Sequence, residues 1–304
     1  MSPIRVRLLG VALIVVATAL FIRSLPFGDD GEDVISDMIE LTATRPTVAL
    51  EAEPDDEDFP AIVDSAVRDP AERVAPISAT FEVIGTTDHD PGAFTQGFEL
   101  HDGRLFESTG LVGSSTLREL DPTTGEILRS VPVPGVFAEG MTVVDDEIVQ
   151  ITWTEGIAYR YDLESFDVTG THNYDDEGWG ICNDGARLVM SNGSPKLTFR
   201  DPSSFEVLDD VTVTFNGAPV ERLNELECVG STVWANIWLT PLIIEINPVD
   251  GMVLTVINAG GLRPPSTADN SGAVLNGIAH DPSDDTFLIT GKLWPTAYRV
   301  EIER

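Results

Sequence analysis

The feature that most constrains how this chain can fold is an internal repeat that occurs five times. Each copy begins with a short apolar segment that carries one polar residue or Trp at a shared position. These positions hold Gln96, Glu139, Trp179, Asn224 and Asn276, at intervals of 43, 40, 45 and 52 residues. Second apolar segments follow at residues 105–110, 148–153, 188–193, 233–238 and 287–292. Four short strands in about 40 to 45 residues is the spacing of a propeller blade, so the sequence predicts an all-β fold, a five-bladed β-propeller over residues 78–304.

The two ends of the repeat region predict how such a ring would close. The chain ends soon after the third strand of the fifth copy, at residues 297–302. The fourth strand of that blade is therefore missing at the C-terminus, and we expect residues 80–84 to supply it. This closure would leave no long unpaired edge. An unclosed β-sandwich is the alternative, but it gives no reason for so regular a period.

The shared position of the first strands carries different side chains in different copies. The innermost strands of a propeller converge on the central axis, so these five side chains should surround one mouth of the channel. A repeat maintained for structure alone would favour one residue type there. The variety predicts a binding site at the mouth.

The first 25 residues have the pattern of an export signal. Arg5 and Arg7 precede an apolar run over residues 8–22, which has signal-peptide length and is shorter than the roughly 20 apolar residues of a full membrane span. We expect an exported protein, either extracellular or periplasmic, or held at the membrane by residues 8–22 as an uncleaved anchor. Residues 26–77 carry 15 acidic and three basic side chains, which favours a disordered acidic spacer. Short helical turns near residues 34–41 or 61–67 are alternatives.

Charge and cysteine content exclude some classes of partner. The net charge of −33 argues against nucleic acid, because phosphate binding needs clusters of Lys and Arg. The four histidines are scattered and no CxxC occurs, so we expect no metal site. Cys182 and Cys228 could form a disulfide in an exported protein or stay as buried thiols. The propeller is expected to be monomeric.

Eight strings of residues, in order, resemble one known family. They are FTQGF (94–98), FESTG (106–110), FAEG (137–140), GWG (178–180), NELE (224–227), VWANIW (233–238), LNGIA (275–279) and TGKLWP (290–295). Over residues 81–302 the chain resembles the plant and bacterial type of glutaminyl-peptide cyclotransferase, a family of five-bladed propellers. The resemblance implies that peptides or proteins with an N-terminal glutamine are cyclised to pyroglutamate with release of ammonia, without metal or cofactor.

The resemblance also implies roles for individual residues. It places the catalytic carboxylate at Glu139, a lysine at Lys292, and amide contacts at Gln96 and Asn224. It places the aromatic side chains of the pocket at Phe94, Phe137, Trp153, Trp179 and Trp238. The aromatic side chains would hold a folded glutamine, Glu139 would transfer protons, and Lys292 would stabilise the oxygen that gains negative charge.

Two other functions stay open at this point. A propeller without catalytic activity could bind peptides or proteins at the same mouth. A calcium-dependent propeller hydrolase or lactonase would need several carboxylates on the axis, whereas the aligned positions offer one, Glu139. Two further tryptophans, Trp234 and Trp294, are expected to pack between blades.

Overall fold

The computed structural model describes residues 29–43 and 75–304. The export signal predicted over residues 1–25 lies outside the described residues, as do residues 26–28 and 44–74 of the predicted spacer, which include the alternative helical turn near residues 61–67. The described chain contains helix α1 (Asp29–Ala43), two short 3-10 helices (Gly260–Leu262 and Pro265–Thr267) and otherwise strands and turns. The all-β class predicted from the repeat is confirmed. None of the helices in the described part is both long and apolar enough to cross a membrane.

The strands form a series of antiparallel meanders. After strand β1 (Ile77–Asp88), the first four-stranded sheet contains β2 (Thr95–His101), β3 (Arg104–Thr109), β4 (Thr116–Leu120) and β5 (Ile127–Pro132). The second contains β6 (Ala138–Val144), β7 (Glu147–Thr152), β8 (Ile157–Asp162) and β9 (Val168–Asn173). The third contains β10 (Ile181–Asn183), β11 (Leu188–Ser191), β12 (Lys196–Arg200) and β13 (Val207–Thr212), followed by a small hairpin of β14 (Thr214–Phe215) and β15 (Ala218–Pro219).

The last strands form one eight-stranded sheet. Its strands are β16 (Leu223–Val229), β17 (Thr232–Ile237), β18 (Leu242–Ile246), β19 (Val253–Asn258), β20 (Leu275–Asp281), β21 (Thr286–Gly291) and β22 (Thr296–Glu303), together with β1. The strand β1 lies in the middle, parallel to β19 over residues 77–79 and antiparallel to β22 from residue 80 onwards. The pairing expected for residues 80–84 is thus confirmed, with Thr80 opposite Glu303.

The first strand of each meander lines a closed ring. Strands β2, β6, β10, β16 and β20 contact one another in this order, and β20 contacts β2. The approach is so close that a Cβ atom on Gly140 would lie 2.8 Å from the backbone nitrogen of Ile181, and one on Gly180 would lie 2.0 Å from the carbonyl oxygen of Asn224. Only glycine fits at these two positions, because the atoms in the way belong to backbone.

The shared positions of the repeat fall on irregularities in these inner strands. Strands β2, β6, β16 and β20 each change register where Gln96, Glu139, Asn224 and Asn276 lie. Such bulges redirect a side chain and are common beside active sites. The fifth position, Trp179, precedes β10 instead of starting it, but its carbonyl oxygen still accepts a 2.9 Å hydrogen bond from Gly140 N.

Helix α1 occupies part of the segment that composition assigns to a disordered spacer. Its Val34, Ile35 and Met38 are buried in a core that they share with residues of the hairpin and of β16 to β19, such as Phe215 and Leu223. These three apolar residues lie on one face of the helix, and the exposed remainder includes Glu32, Asp33, Asp37 and Glu40. The high average charge of the segment conceals this apolar stripe, which is why composition favours disorder.

A disulfide joins two neighbouring inner strands. Cys182 in β10 and Cys228 in β16 are bonded, with their Cα atoms 5.5 Å apart. This settles the choice between a disulfide and buried thiols. Trp234 and Trp294 are each 1% exposed within a shared apolar core, so the packing role predicted for them is confirmed.

Candidate active site

Three polar side chains meet at one end of the ring. Gln96 comes from the bulge in β2, Glu139 from the bulge in β6, and Lys292 follows β21 directly. Gln96 Nε2 donates a 3.2 Å hydrogen bond to Glu139 Oε1, and Lys292 Nζ donates a hydrogen bond to Gln96 Oε1. A carboxyl and an ammonium group therefore contact the two ends of a single amide.

The backbone around Lys292 fixes this side chain. Lys292 N donates a 2.9 Å hydrogen bond to Val274 O, and the next residue, Leu293, adopts a positive φ of 61°. Leu293 N then donates a 2.6 Å hydrogen bond to Ala93 O, which ties this turn to the segment that precedes β2. As a result Lys292 Nζ lies 4.8 Å from the centre of the Phe94 ring, in the range of a cation–π contact.

Both charged groups are buried, which shifts their pKa values towards each other. Glu139 is 6% exposed and Lys292 is 3% exposed. Burial raises the pKa of the Glu139 carboxyl well above its usual range; Lys292 acts against this shift, and the carboxylates of Glu177 and Glu155 add to it. Burial lowers the pKa of the Lys292 ammonium to about 8, although Glu139 and Glu225 act in the opposite direction. Burial thus favours the neutral form of Glu139 and weakens the preference of Lys292 for its charged form.

The aromatic side chains predicted for the pocket form two contact groups. In one group, the rings of Phe94 and Phe137 are 6.1 Å apart and those of Phe137 and Trp153 are 5.6 Å apart, centre to centre. In the other group, Trp179 and Trp238 pack edge to face, with centres 5.5 Å apart and ring planes at 84°. Phe94, Phe137 and Trp179 lie just before the inner strands β2, β6 and β10. Trp153 and Trp238 directly follow the second strands β7 and β17.

A carboxylate that the sequence analysis did not select connects the two groups. Glu177 Oε2 accepts a 2.7 Å hydrogen bond from Trp153 Nε1 and a 2.9 Å hydrogen bond from Trp179 Nε1. The available sequence signal is its position directly before the GWG string, in the loop that precedes β10. Acidic residues are abundant in this chain, and that abundance hides the signal.

The two asparagines of the repeat behave differently. Asn276 Nδ2 donates hydrogen bonds to Thr95 O (3.0 Å) and to Gln96 Oε1 (3.4 Å), so it braces Gln96. Asn224 Oδ1 is buried and has no hydrogen-bond partner among residues 29–43 and 75–304. The structure therefore does not bond the side chain of Asn224 to Gln96, Glu139 or Lys292, and it leaves an acceptor oxygen unused inside the ring.

Further carboxylates contact backbone groups of the ring. Glu225 Oε1 accepts a 3.4 Å hydrogen bond from Phe98 N, and its Oε2 accepts a 2.9 Å bond from Ile278 N. Glu227 Oε1 accepts a 2.8 Å bond from His280 N. The sequence analysis counted only Glu139 at the aligned positions and missed these side chains. Within the described ranges, no three or more His, Cys, Asp or Glu side chains are arranged to hold a metal ion.

Comparisons with known proteins agree with one another. The family model described as Glutamine cyclotransferase matches residues 60–302. The chain is 39% identical over 233 residues to a glutaminyl-peptide cyclotransferase of Arabidopsis thaliana, a match that covers 73% of this chain and 71% of that protein. The crystal structure of Myxococcus xanthus glutaminyl cyclase superposes with a TM-score of 0.72 at 37% identity, over 75% of this chain and 98% of the other.

Proposed function

This chain belongs to the glutamine cyclotransferase family, and we therefore propose that it converts the N-terminal glutamine of peptides and proteins to pyroglutamate and releases ammonia. The observation that carries the proposal is the contact of Lys292 and Glu139 with the two ends of the Gln96 amide. The amide of a substrate glutamine needs the same partners. Its oxygen needs a cation and its nitrogen needs a carboxyl group that can exchange protons.

The proposal includes the interpretation of the fold as a five-bladed propeller. The eight-stranded sheet consists of two four-stranded meanders, β16 to β19 and β20 to β22 with β1, which are joined where β1 runs beside β19. Counting these as two blades gives five, in agreement with the closed contacts among the five inner strands. The substrate pocket then lies at the end of the channel where Gln96 and Glu139 meet.

Positioning is the first task of the site. The α-amine and the side-chain amide belong to the same residue, so the reaction needs a folded conformer with the amine nitrogen close to the amide carbon. The rings of Phe94, Phe137, Trp153, Trp179 and Trp238 would hold that conformer. Correct positioning contributes about 7–11 kcal/mol in favourable model reactions.

Proton transfer by Glu139 is the second task. The α-amine nitrogen bonds to the amide carbon while the carboxylate of Glu139 takes a proton from that nitrogen. Negative charge develops on the amide oxygen, where Lys292 stabilises it. Glu139 then returns the proton to the departing nitrogen, the carbon–nitrogen bond of the amide breaks, and ammonia leaves. The raised pKa of the buried Glu139 suits a group that must both accept and donate. These steps require no metal.

Export is part of the proposal as well. The disulfide between Cys182 and Cys228 supports it, because disulfides persist mainly in oxidising compartments outside the cytoplasm. Membrane fractionation of the full chain, with and without residues 1–25, would test it. We expect the full chain outside the cytoplasm and the shortened chain inside.

The activity is tested by ammonia release from a peptide that begins with glutamine. Wild type should release one ammonia for each pyroglutamate formed, with and without chelator. Glu139→Gln should lower kcat by about 10²–10⁴-fold. Glu126→Gln, which replaces an exposed glutamate directly before β5, should not. Absence of ammonia release from a folded wild type would refute the proposal. Loss of activity in chelator would favour a metal mechanism, and an unchanged rate in Glu139→Gln would exclude that residue as the acid and base.

A further inference from the structure

Glu177 occupies a position between the two aromatic groups of the pocket. Its Oε2 atom accepts hydrogen bonds from both Trp153 Nε1 and Trp179 Nε1, at 2.7 and 2.9 Å. The indole N–H is the only polar group of a tryptophan side chain, so one oxygen satisfies both rings. The two rings come from different sheets: Trp153 follows β7 and Trp179 precedes β10.

The backbone holds Glu177 in place from both sides. Asp176, directly before it, has a positive φ of 94°, and its Oδ2 accepts a 2.6 Å hydrogen bond from Asn192 Nδ2. Directly after it, Gly178 N donates a 2.9 Å bond to Trp153 O. The carboxylate is therefore a fixed point of the pocket and not a mobile loop side chain.

The second oxygen of Glu177 has a different environment. Oε1 takes part in no hydrogen bond within the described part of the chain, and the residue is half-buried. The carboxylate is also close enough to Glu139 to influence its ionisation, as is Glu155. A peptide substrate arrives with a cationic α-ammonium, since the pKa of such groups is about 8, and this group releases one proton to solvent before the neutral amine attacks. A fixed carboxylate with one unused oxygen near Glu139 is suited to that cation.

We propose that Glu177 is a positioning residue, which holds Trp153 and Trp179 as one wall of the substrate pocket and gives that wall a negative charge for the α-ammonium of the peptide. The inference rests on the proposed function, because it assigns a role within the same pocket. The proposal assigns two separate functions to the carboxylate of Glu177. Hydrogen-bond acceptance by Oε2 orients the rings, and the charge attracts the substrate.

Two substitutions distinguish these functions. Glu177→Gln keeps an oxygen that can accept from both indoles but removes the charge. Glu177→Ala removes both. We expect Glu177→Ala to lower kcat by about 10–100-fold, the effect of misplaced pocket groups. Glu177→Gln should keep kcat within about threefold and raise KM by about two- to fivefold, the size of an ion pair at a partly exposed site.

The pH dependence of kcat is a further measurement, and a purely structural role of Glu177 would not change it. The charged groups near the Glu139 carboxyl are Lys292, Glu177 and Glu155. Both Glu177 variants should shift the acid limb of kcat to lower pH, because a negative charge near Glu139 is removed. Glu155 is the matched control: it is exposed and its Oε1 accepts a bond from Phe137 N instead of an indole. Glu155→Gln should shift the acid limb in the same direction and leave the plateau of kcat unchanged.

Tryptophan fluorescence tests whether Glu177 holds the rings of Trp153 and Trp179, and it does not depend on an activity assay. Glu177→Ala should increase the quenching of indole emission by acrylamide, whereas Glu177→Gln and Glu155→Gln should match wild type. The proposal is overturned if Glu177→Ala leaves both kcat and quenching unchanged, or if Glu177→Gln loses as much kcat as Glu177→Ala. An inactive wild type would instead refute the proposed function, and the quenching comparison would still decide whether Glu177 holds the rings.

Discussion

Gln96 and Glu139 lie on neighbouring inner strands and share a hydrogen bond of 3.2 Å from Gln96 Nε2 to Glu139 Oε1. The other end of the same amide accepts a hydrogen bond from Lys292. Gln96 therefore separates two opposite charges that are both buried. Without this amide the ammonium and the carboxylate could pair directly, and a direct pair would stabilise the charged forms of both.

This arrangement predicts that Gln96→Leu will be far less active although it fills a similar volume. A direct pair between Lys292 and Glu139 would withdraw both groups from the substrate. We expect kcat to fall by at least about tenfold, which corresponds to about 1.4 kcal/mol, while the circular dichroism spectrum stays unchanged. The acid limb of the kcat profile should also move to lower pH, because the pKa of Glu139 falls when a cation contacts it. A variant with wild-type kcat would show that Gln96 only fills space.

The second prediction concerns alkaline pH. Burial lowers the pKa of Lys292 to about 8, and the proposed mechanism needs its cationic form. The cation is present below that pKa and disappears above it, so kcat at saturating peptide should fall as pH rises through about 8. Measuring kcat instead of kcat/KM removes the titration of the free peptide amine from the profile.

Arginine substitutions test which group causes that decline. Lys292→Arg should abolish the alkaline limb, since a guanidinium stays charged, at the cost of a lower plateau. The chain contains just one other lysine, Lys196, which is exposed and paired with Asp210 at 3.0 Å. Lys196→Arg should leave the profile unchanged. An alkaline limb that persists in Lys292→Arg would assign the titration to another group.

Much of the fold could be predicted from the sequence, because the patterns that mark strands and turns are local. The second segments predicted at residues 105–110 and 148–153 appear as Arg104–Thr109 and Glu147–Thr152, since acidic or glycine-containing turns mark their ends. The site could be predicted only in part. Phe98 N and Glu225 are 127 residues apart in the chain, and no local pattern predicts that contact. The docking of α1 depends on three apolar residues within a strongly acidic segment, which the average composition conceals.

The third prediction concerns the disulfide. It joins β10 to β16, and the chain passes from one of these neighbouring strands to the other through the outer strands of the third sheet and the hairpin. Replacing both Cys182 and Cys228 by Ala should lower the free energy of unfolding by about 2–4 kcal/mol, measured by denaturant titration. Wild type with reductant should match the double variant. The double variant itself should not respond to reductant, and equal stability of all four samples would contradict the prediction.

The fourth prediction follows from two carboxyl groups of the inner strands, those of the half-buried Glu99 and the buried Glu227. Burial raises the pKa of Glu99 from 4.5 to about 7, and it raises the pKa of Glu227 well above its usual range, with the charge of Glu99 as a further cause. In the unfolded chain both groups titrate near 4.3. A folded-state pKa above the unfolded value means that the protonated form contributes to stability. For Glu99 that contribution is fully present below about pH 4.3 and is lost as pH rises through about 7.

The melting temperature of wild type should therefore fall between pH 5 and pH 8. Glu99→Gln keeps an oxygen for the 3.1 Å hydrogen bond from Val143 N but cannot ionise, so its Tm should depend less on pH and exceed that of wild type at pH 8. One kcal/mol corresponds to roughly 2–4 °C in a domain of this size, so the difference should reach several degrees. Glu126→Gln, at an exposed position directly before β5, should follow wild type throughout. A Tm of Glu99→Gln below that of wild type at pH 8 would mean that the ionised carboxylate stabilises the ring, for instance by binding a cation.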